Sequence, residues 1–375
     1  MEIITFNRPR QAVVLDVDGV LLPCAELGVA RWNKEHPDEE PMTIEEITGY
    51  GVLGKRTDEI LPYYAREEFY HDQRPYPGAQ EFVKELCRLY DVYFLTAVPD
   101  NVVKYRGSQL KRFFPEVGRD HVFYGSVKER FIADFSLDDS PDHILAQYES
   151  GAVKHPVIMR RPWNEDLSGI MSLTDYNDFL TFIKLVNGIK SSFEPKKNEG
   201  SRVVAMVGPA GSDKGRLVSA MIDRGFERLP SYTTAEKRDD EPKGYIHVSV
   251  DEFRRLKDEG RFIESTSYCM NYYGISRTGV EDALKYNQSI VTVVDICGAV
   301  TLKRLFSERC LTVYVTRDET AVYQDIMAKH TGSELINRLR WLNAEKKNKE
   351  LCDITVLNDD VAAAADALTK YITGK

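Results

Sequence analysis

The six cysteines, Cys24, Cys87, Cys269, Cys297, Cys310 and Cys352, are scattered and nowhere form a CxxC pair. That spacing excludes a zinc knuckle and a disulfide framework, and it predicts reduced thiols of the kind found in cytosolic proteins. No apolar run approaches the ~20 residues a membrane span needs. The opening stretch MEIITFNRPR lacks the apolar core of a signal peptide. Positive charge is in short supply: 50 Lys and Arg stand against 59 Asp and Glu, a net charge of −9. This counts against a broad nucleic-acid-binding face and leaves room only for a local basic groove. No internal repeat and no low-complexity tail is present. The expected setting is the cytoplasm, without membrane contact.

What is there describes a globular protein, 42% hydrophobic and 29% charged. A chain of 375 residues is too long for one ordinary core, so two domains are expected. The boundary falls in KLVNGIKSSFEPKKNEGSR, which mixes Gly, Ser, Pro and Lys without apolar periodicity. Residues 1–188 are read as the first domain, 189–200 as a linker and 201–375 as the second domain. In the first, the β-rich runs AVVLDV, DVYFLTAV, HVFYG, DFSLDD and HPVIMR alternate with helical stretches, which predicts a parallel sheet flanked by helices. Residues 24–76 interrupt the alternation and are read as a cap inserted after the first strand. In the second, RVVAMVG, SIVTVVDI and LTVYVT read as buried strands.

Two motifs carry chemistry. QAVVLDVDGVLL places Asp16 and Asp18 at the carboxyl end of a strand, where open α/β sheets bind ligands. One such carboxylate can attack phosphorus while the other protonates the leaving oxygen. Crowded anions call for a cation, which implies Mg2+. A surface turn after a strand gives the same DxDG string. The second motif, VVAMVGPAGSDKGRL, has the strand, two glycines and Lys214 of a phosphate-binding loop, whose backbone amides wrap phosphates while the lysine bridges them. Asp213 stands where a third glycine is usual, and Arg216 stands where kinases of the GKGT type carry threonine.

Further residues extend the first motif. Thr96 ends DVYFLTAVPD, Lys128 precedes FIADFSLDDSP, and Asp138 and Asp139 end that run. The order DxD, Thr, Lys, DD resembles the four motifs of the haloacid dehalogenase superfamily of phosphohydrolases, from about Gln11 to Asn164. Within it, the segment resembles the 5'(3')-deoxyribonucleotidase family, through its small cap, the turn Pro77-Gly78-Ala79 and the pattern of Lys128, Asp134, Asp138 and Asp139. The resemblance implies Asp16 as the nucleophile of an aspartyl-phosphate and Asp18 as acid and base. It implies that Thr96 and Lys128 hold the phosphoryl oxygens. Asp16, Asp18, Asp138 and the Val17 carbonyl would bind Mg2+, with Asp139 beside them. Asp134 would order a loop. The cap aromatics Trp32, Tyr50 and Tyr63 are candidates to stack on a base, and equally candidates for the core.

Downstream of Lys214, the stretches LPSYTTAEKRDDEPKGYIHVSVDEF, GRFIESTSYCMNYYGIS, VVDICGA and DITVLNDD follow in order. They resemble the guanylate kinase family from Arg202 to Ile372. The resemblance implies that Gly208, Gly211, Lys214, Gly215 and Arg216 bind ATP, with Asn358 near the adenine and Lys214 serving catalysis. It implies that Arg238, Tyr245 and Tyr273 hold an acceptor monophosphate, that Ser231 and Glu264 face its base, and that Asp295 belongs to the same site. Lys329, Arg338 and Arg340 would form the lid, where Asp325 replaces a common arginine. Three more departures fall in the acceptor region. Ala235 replaces a clamp arginine, Ile275 a Ser/Thr that touches guanine, and Val293 an aspartate. The segment 241–245 is also two residues shorter than usual.

The expected fold class is therefore α/β in two domains. A haloacid dehalogenase-like Rossmannoid domain with a small helical cap precedes a P-loop kinase domain on a parallel sheet. The expected function is a bifunctional nucleotide enzyme, an Mg2+-dependent nucleoside 5'-monophosphate phosphatase fused to an ATP-dependent nucleoside monophosphate kinase. If both accepted one nucleotide they would waste ATP, so their base specificities are expected to differ. Discarding dTMP while phosphorylating a modified dUMP would suit a phage, acting in its host's cytoplasm. Two other readings stand beside it: a polynucleotide kinase/phosphatase for end healing, and a phosphatase carrying a non-catalytic guanylate kinase-like binding module.

Overall fold

The structure, a computed structural model, describes residues 10–47, 56–165, 167, 169–189, 193, 202–237, 244–268, 271–286 and 289–374. Tyr50, Arg238, Cys269, most of the expected linker, residues 241–243 and the side chain of Arg340 lie outside the described residues. The chain forms two compact units, Met1–Glu165 with Ile170–Leu180, and Asp166–Gly169 with Thr181–Lys375.

The first unit runs β1 (Ala12–Leu15), α1 (Cys24–Glu35), α2 (Thr57–Ile60), α3 (Glu67–Asp72), α4 (Ala79–Leu89), β2 (Asp91–Thr96), α5 (Val103–Phe113), β3 (Val122–Tyr124), β4 (Ala133–Asp138), α6 (Pro141–Ser150), β5 (Val153–Met159) and β6 (Ser172–Leu173); α7 (Tyr176–Val186) follows and contains the cut between the units. Its strands pair in parallel in the order β3-β2-β1-β4-β5-β6. The strands read as near-continuous apolar runs because helices cover both faces of a parallel sheet. Chain order reverses at β1, which lies between β2 and β4, so the end of β1 is a topological switch point. Ser140 caps α6 by accepting from the His143 amide, Pro141 begins the helix, and left-handed Gly151 closes it.

The described residues of 24–76 form helices around a core of Trp32, Met42, Ile47, Ile60, Tyr63 and Phe69, which Val102 joins from outside the segment. Trp32 and Tyr63 are buried in it. They serve the cap's core and offer no free face for a base.

The second unit runs β7 (Val203–Val207), α8 (Lys214–Ile222), β8 (Glu227–Arg228), β9 (Ser231–Thr233), β10 (Tyr245–His247), α9 (Val250–Asp258), β11 (Phe262–Tyr268), β12 (Asn271–Ser276), α10 (Arg277–Lys285), β13 (Ile290–Val293), α11 (Ile296–Phe306), β14 (Cys310–Thr316), α12 (Glu319–Lys329), α13 (Gly332–Lys347), β15 (Ile354–Leu357) and α14 (Val361–Thr373). A parallel sheet, ordered β15-β14-β7-β13-β8, is centred on β7, all five of whose residues are buried. A second sheet, ordered β10-β9-β12-β11, is mixed, with β9 and β10 parallel and the other pairs antiparallel. No described helix is long and apolar enough to cross a membrane.

Candidate active sites

In the first unit, Asp16 follows β1, and its amide donates to Leu137 O at 2.9 Å, which continues the pairing toward β4. Strand register thereby brings Asp16 level with Asp138 and Asp139 at the end of β4. Ligand atoms of Asp16, Asp138 and Asp139 lie within 4.8 Å of one another. The Lys128 ammonium, also buried, stands 2.9 Å from Asp16 Oδ1 and 2.9 Å from Asp138 Oδ2.

Burial pushes the Asp16 carboxyl up to about 6, with Lys128 pulling against it and Asp138 adding to it. Burial, then Asp16 and Asp138, drives Asp139 well up. Burial acts upward on Asp138 too, but Lys128 and His143 outweigh it and hold that carboxyl below its usual range. When ionised, the three carboxylates against one ammonium leave two negative charges unbalanced. All-oxygen donors with that deficit fit a hard divalent cation such as Mg2+.

Thr96 ends β2, the neighbour of β1, and its hydroxyl is enclosed without a hydrogen-bond partner. Buried hydroxyls are normally paired, so an unpaired one at the end of the strand beside β1 fits an anionic oxygen there. Gly19 turns the loop with φ +71°, and a Cβ there would lie 2.0 Å from Asp139 Oδ2, so only glycine fits. Arg161 Nε donates to Gly19 O and the Tyr176 hydroxyl to Val20 O, each at 2.6 Å, which fixes the loop from outside.

Two expected metal ligands have protein partners in this geometry. The Val17 carbonyl accepts from the amides of Leu21 and Leu22 at 2.8 and 2.9 Å, so both its lone pairs are engaged within the turn. Asp18 lies outside the three-carboxylate group, and both its oxygens are held at 2.6 Å by Arg106 Nη2. Asp134 accepts from the Ala12 amide at 2.9 Å and pairs with Lys154, so it anchors β1 to β4. Sequence reading missed Arg106, Arg161 and Trp163, which donates to Asp139 Oδ2 at 2.9 Å. An arginine on an amphipathic helix is ordinarily solvated, and nothing local marked Arg106 as buried.

In the second unit the loop between β7 and α8 needs its glycines. A Cβ on Gly208 would lie 2.2 Å from Val315 O, and one on Gly211 would lie 2.8 Å from Val322 O. Asp213 adopts φ 60°, the left-handed region that glycine favours and that Asp tolerates better than most residues. Its carboxylate lies 3.2 Å from Arg216 and 3.6 Å from Arg317. Lys214 Nζ donates back to Gly208 O at 2.6 Å and Pro209 O at 2.7 Å. Burial pulls its pKa down to about 8, with Glu345 opposing and Arg338 assisting. Asn358 Nδ2 donates to Ser212 O at 3.0 Å, while its Oδ1 is enclosed and unpartnered. Asn358 therefore braces the loop as well as lining a cavity of about 600 Å3 with Asp213, Arg216, Arg317 and Asp359. Gly215 and Arg216 follow Lys214 in the first turn of α8.

The mixed sheet gathers the acceptor candidates. Ser231, Ile275 and Glu264 sit abreast on β9, β12 and β11, and Tyr273 pairs with Thr233 and Thr266 two rows along β12. Asp295 caps α11 through the Gly298 amide at 2.8 Å and accepts from the Thr266 hydroxyl at 2.7 Å. The Glu264 carboxyl lies so close to that helix start that a Cβ on Gly298 would come within 2.9 Å of it. Tyr245 on β10 pairs with Ser231, and the Arg228 guanidinium covers its ring at 4.7 Å. In the lid segment, Asp325 pairs with Lys329 at 2.8 Å.

Comparison with known proteins accounts for both units. Residues 10–187 match the family model "5' nucleotidase, deoxy (Pyrimidine), cytosolic type C protein", and residues 200–375 match "Guanylate kinase". The first segment resembles haloacid dehalogenase-type deoxyribonucleotidases and the second resembles guanylate kinases; each match covers just under half of the chain. Among curated relatives, the guanylate kinase of Trichormus variabilis is 27% identical over 50% of this chain and 98% of its own length. That of Oceanobacillus iheyensis is 28% identical over 44% and 83%. Among solved structures, guanylate kinase from Anaplasma phagocytophilum aligns with TM-score 0.40 and 21% identity, covering 47% of this chain and 87% of that one. A haloacid dehalogenase-like hydrolase from Streptococcus pneumoniae aligns with TM-score 0.33 and 12% identity, covering 46% and 98%.

Proposed function

We propose that the chain is a bifunctional nucleotide enzyme. Residues 1–188 would release phosphate from a (deoxy)nucleoside 5'-monophosphate, and residues 201–375 would transfer phosphate from ATP to a nucleoside monophosphate of different base. Lys128 supports the phosphatase half: it stands between Asp16 and Asp138, and Thr96 ends the strand beside β1. Two family matches on one chain support the pairing of activities.

In this reading Asp16 attacks phosphorus, the bond to the nucleoside oxygen breaks, and Asp18 gives that oxygen its proton. Water then attacks the aspartyl-phosphate and returns a proton to Asp18, releasing phosphate and free Asp16. Thr96 and Lys128 hold the phosphoryl oxygens. Asp16, Asp138 and Asp139 would hold Mg2+, which supplies charge neutralisation when bound. In the kinase half, the loop from Gly208 to Arg216 would hold the ATP phosphates with Lys214, and Asn358 would adjoin the adenine. Glu264 and Ser231 would read the acceptor base, with Arg238, Tyr245, Tyr273 and Asp295 completing the site.

Ile275 supports a base other than guanine, because it puts an apolar side chain between Glu264 and Ser231 where guanylate kinases carry a hydroxyl. The pairing fits removal of dTMP and phosphorylation of a modified dUMP in a phage. The test is a panel of deoxynucleoside monophosphates, 5-hydroxymethyl-dUMP included, assayed on the Asp16→Asn and Lys214→Ala full-length proteins. Different base preferences are expected for the two remaining activities, and identical preferences would sink the reading.

A further inference from the structure

Helix α5 carries a charge where a side chain has no water to meet. Arg106 has 0% exposure, and Gln109 is buried beside it. The guanidinium packs over the Tyr70 ring at 4.9 Å. Its Nη1 donates to Gln109 Oε1 at 2.9 Å, and its Nη2 meets both Asp18 oxygens at 2.6 Å. Gln109 Nε2 donates in turn to Gln73 Oε1 at 3.0 Å and to Tyr70 O at 2.8 Å. Gln73 Nε2 closes the ring on Asp18 Oδ1 at 3.4 Å.

An isolated cation is not left in a protein interior; it is retained where an anion meets it. Here that anion is Asp18, which Lys128 does not reach in its bridge from Asp16 to Asp138. The ring has two origins. Arg106 and Gln109 belong to α5, beside the sheet, while Tyr70 lies in α3 of the cap and Gln73 follows it directly.

We propose that Arg106 is the positioning residue for Asp18, and that Tyr70 and Gln73 make this position depend on the cap being seated. The proposal rests on the phosphatase reading above. Arg106 turns the Asp18 carboxylate away from the three-carboxylate group and toward the cap side of the site. A nucleotide that fills the cap then meets Asp18 in place. Loss of the guanidinium lets Asp18 swing, which harms a reaction whose leaving oxygen needs a proton more than one whose leaving group does not.

The experiment compares a deoxynucleoside monophosphate with p-nitrophenyl phosphate, whose phenolate leaves without full protonation, on the full-length protein. General acid–base catalysis contributes about 10²–10⁴-fold. Arg106→Met is therefore expected to lower kcat/KM, which reports formation of the aspartyl-phosphate, about 10²-fold for the nucleotide and no more than several-fold for the aryl phosphate. Arg106→Met added to Asp18→Asn should cost nothing further. Equal losses of kcat/KM on both substrates, or an additional loss in the double variant, would show a merely structural arginine and overturn the proposal. Should Arg106→Met fail to fold, Arg106→Lys, which keeps the charge but not the fork, and Gln73→Leu carry the same comparison. A wild-type protein inactive on both substrates would instead overturn the phosphatase reading, and this proposal with it.

Discussion

The Lys128 ammonium stands 2.9 Å from the Asp16 carboxylate, and both groups are buried. A second carboxylate, Asp138, completes the contact from the next strand. Removing one partner of such a group leaves uncompensated charge inside the protein, at a cost of about 3–5 kcal/mol. Lys128→Met is expected to lower unfolding stability by that order in urea and to reduce phosphate release by about 10²-fold or more. Unchanged stability would show that the buried pairing is not formed.

The charge deficit around Asp16, Asp138 and Asp139 predicts that Mg2+ stabilises the protein. A ligand at a hundred times its Kd adds about 2.7 kcal/mol. Thermal unfolding should rise with Mg2+ relative to EDTA, and Asp138→Asn should shrink that rise. An equal rise in the variant would place the ion elsewhere.

Lys214 gives a pH dependence with a definite sign. Its pKa falls from 10.5 to about 8 in the folded loop. Between those values the unfolded chain binds more protons than the native state, so the empty loop gains stability as pH rises across that window. Polyphosphate binding requires the charged amine, so ATP affinity should fall as pH rises through about 8, by up to roughly tenfold per unit. Calorimetry one unit below and one unit above that value measures the fall, and Lys214→Arg should abolish it. A flat wild-type profile would contradict the assignment.

Ile275 sits between Ser231 and Glu264 with 3% exposure. Ile275→Thr restores a hydroxyl there, and one hydrogen bond contributes about 0.5–1.5 kcal/mol. The ratio of kinase activity on GMP to that on the preferred acceptor should rise about two- to tenfold by the same conversion. A coupled ADP assay reads it, and an unchanged ratio would remove Ile275 from base selection.

Much of this was legible along the chain because parallel strands bury both faces. The apolar runs ending at Asp16, Thr96 and Asp138 announced three neighbouring strands and the side chains at their carboxyl ends. The glycines at 208 and 211 were legible for a related reason, since a loop passing this close to the backbone admits no Cβ. The partner of the Asp18 carboxylate was not legible in the same way. Which way a carboxylate turns depends on atoms far away in sequence: Arg106 lies 88 positions from Asp18. The Asn358 amide reaches Ser212 across 146 positions for the same reason.

Sequence alone determined the buried parallel strands that lead into the two phosphate motifs, and the residue types each motif needs, because backbone periodicity and covalent spacing are local properties. Tertiary structure decided which charges meet. It buried Lys128 between two carboxylates, turned Asp18 onto Arg106 and folded Lys214 onto its own loop. Those pairings follow from strand order and helix packing, which bring together side chains that no local pattern connects, in an interior where an unpaired charge is too costly to persist.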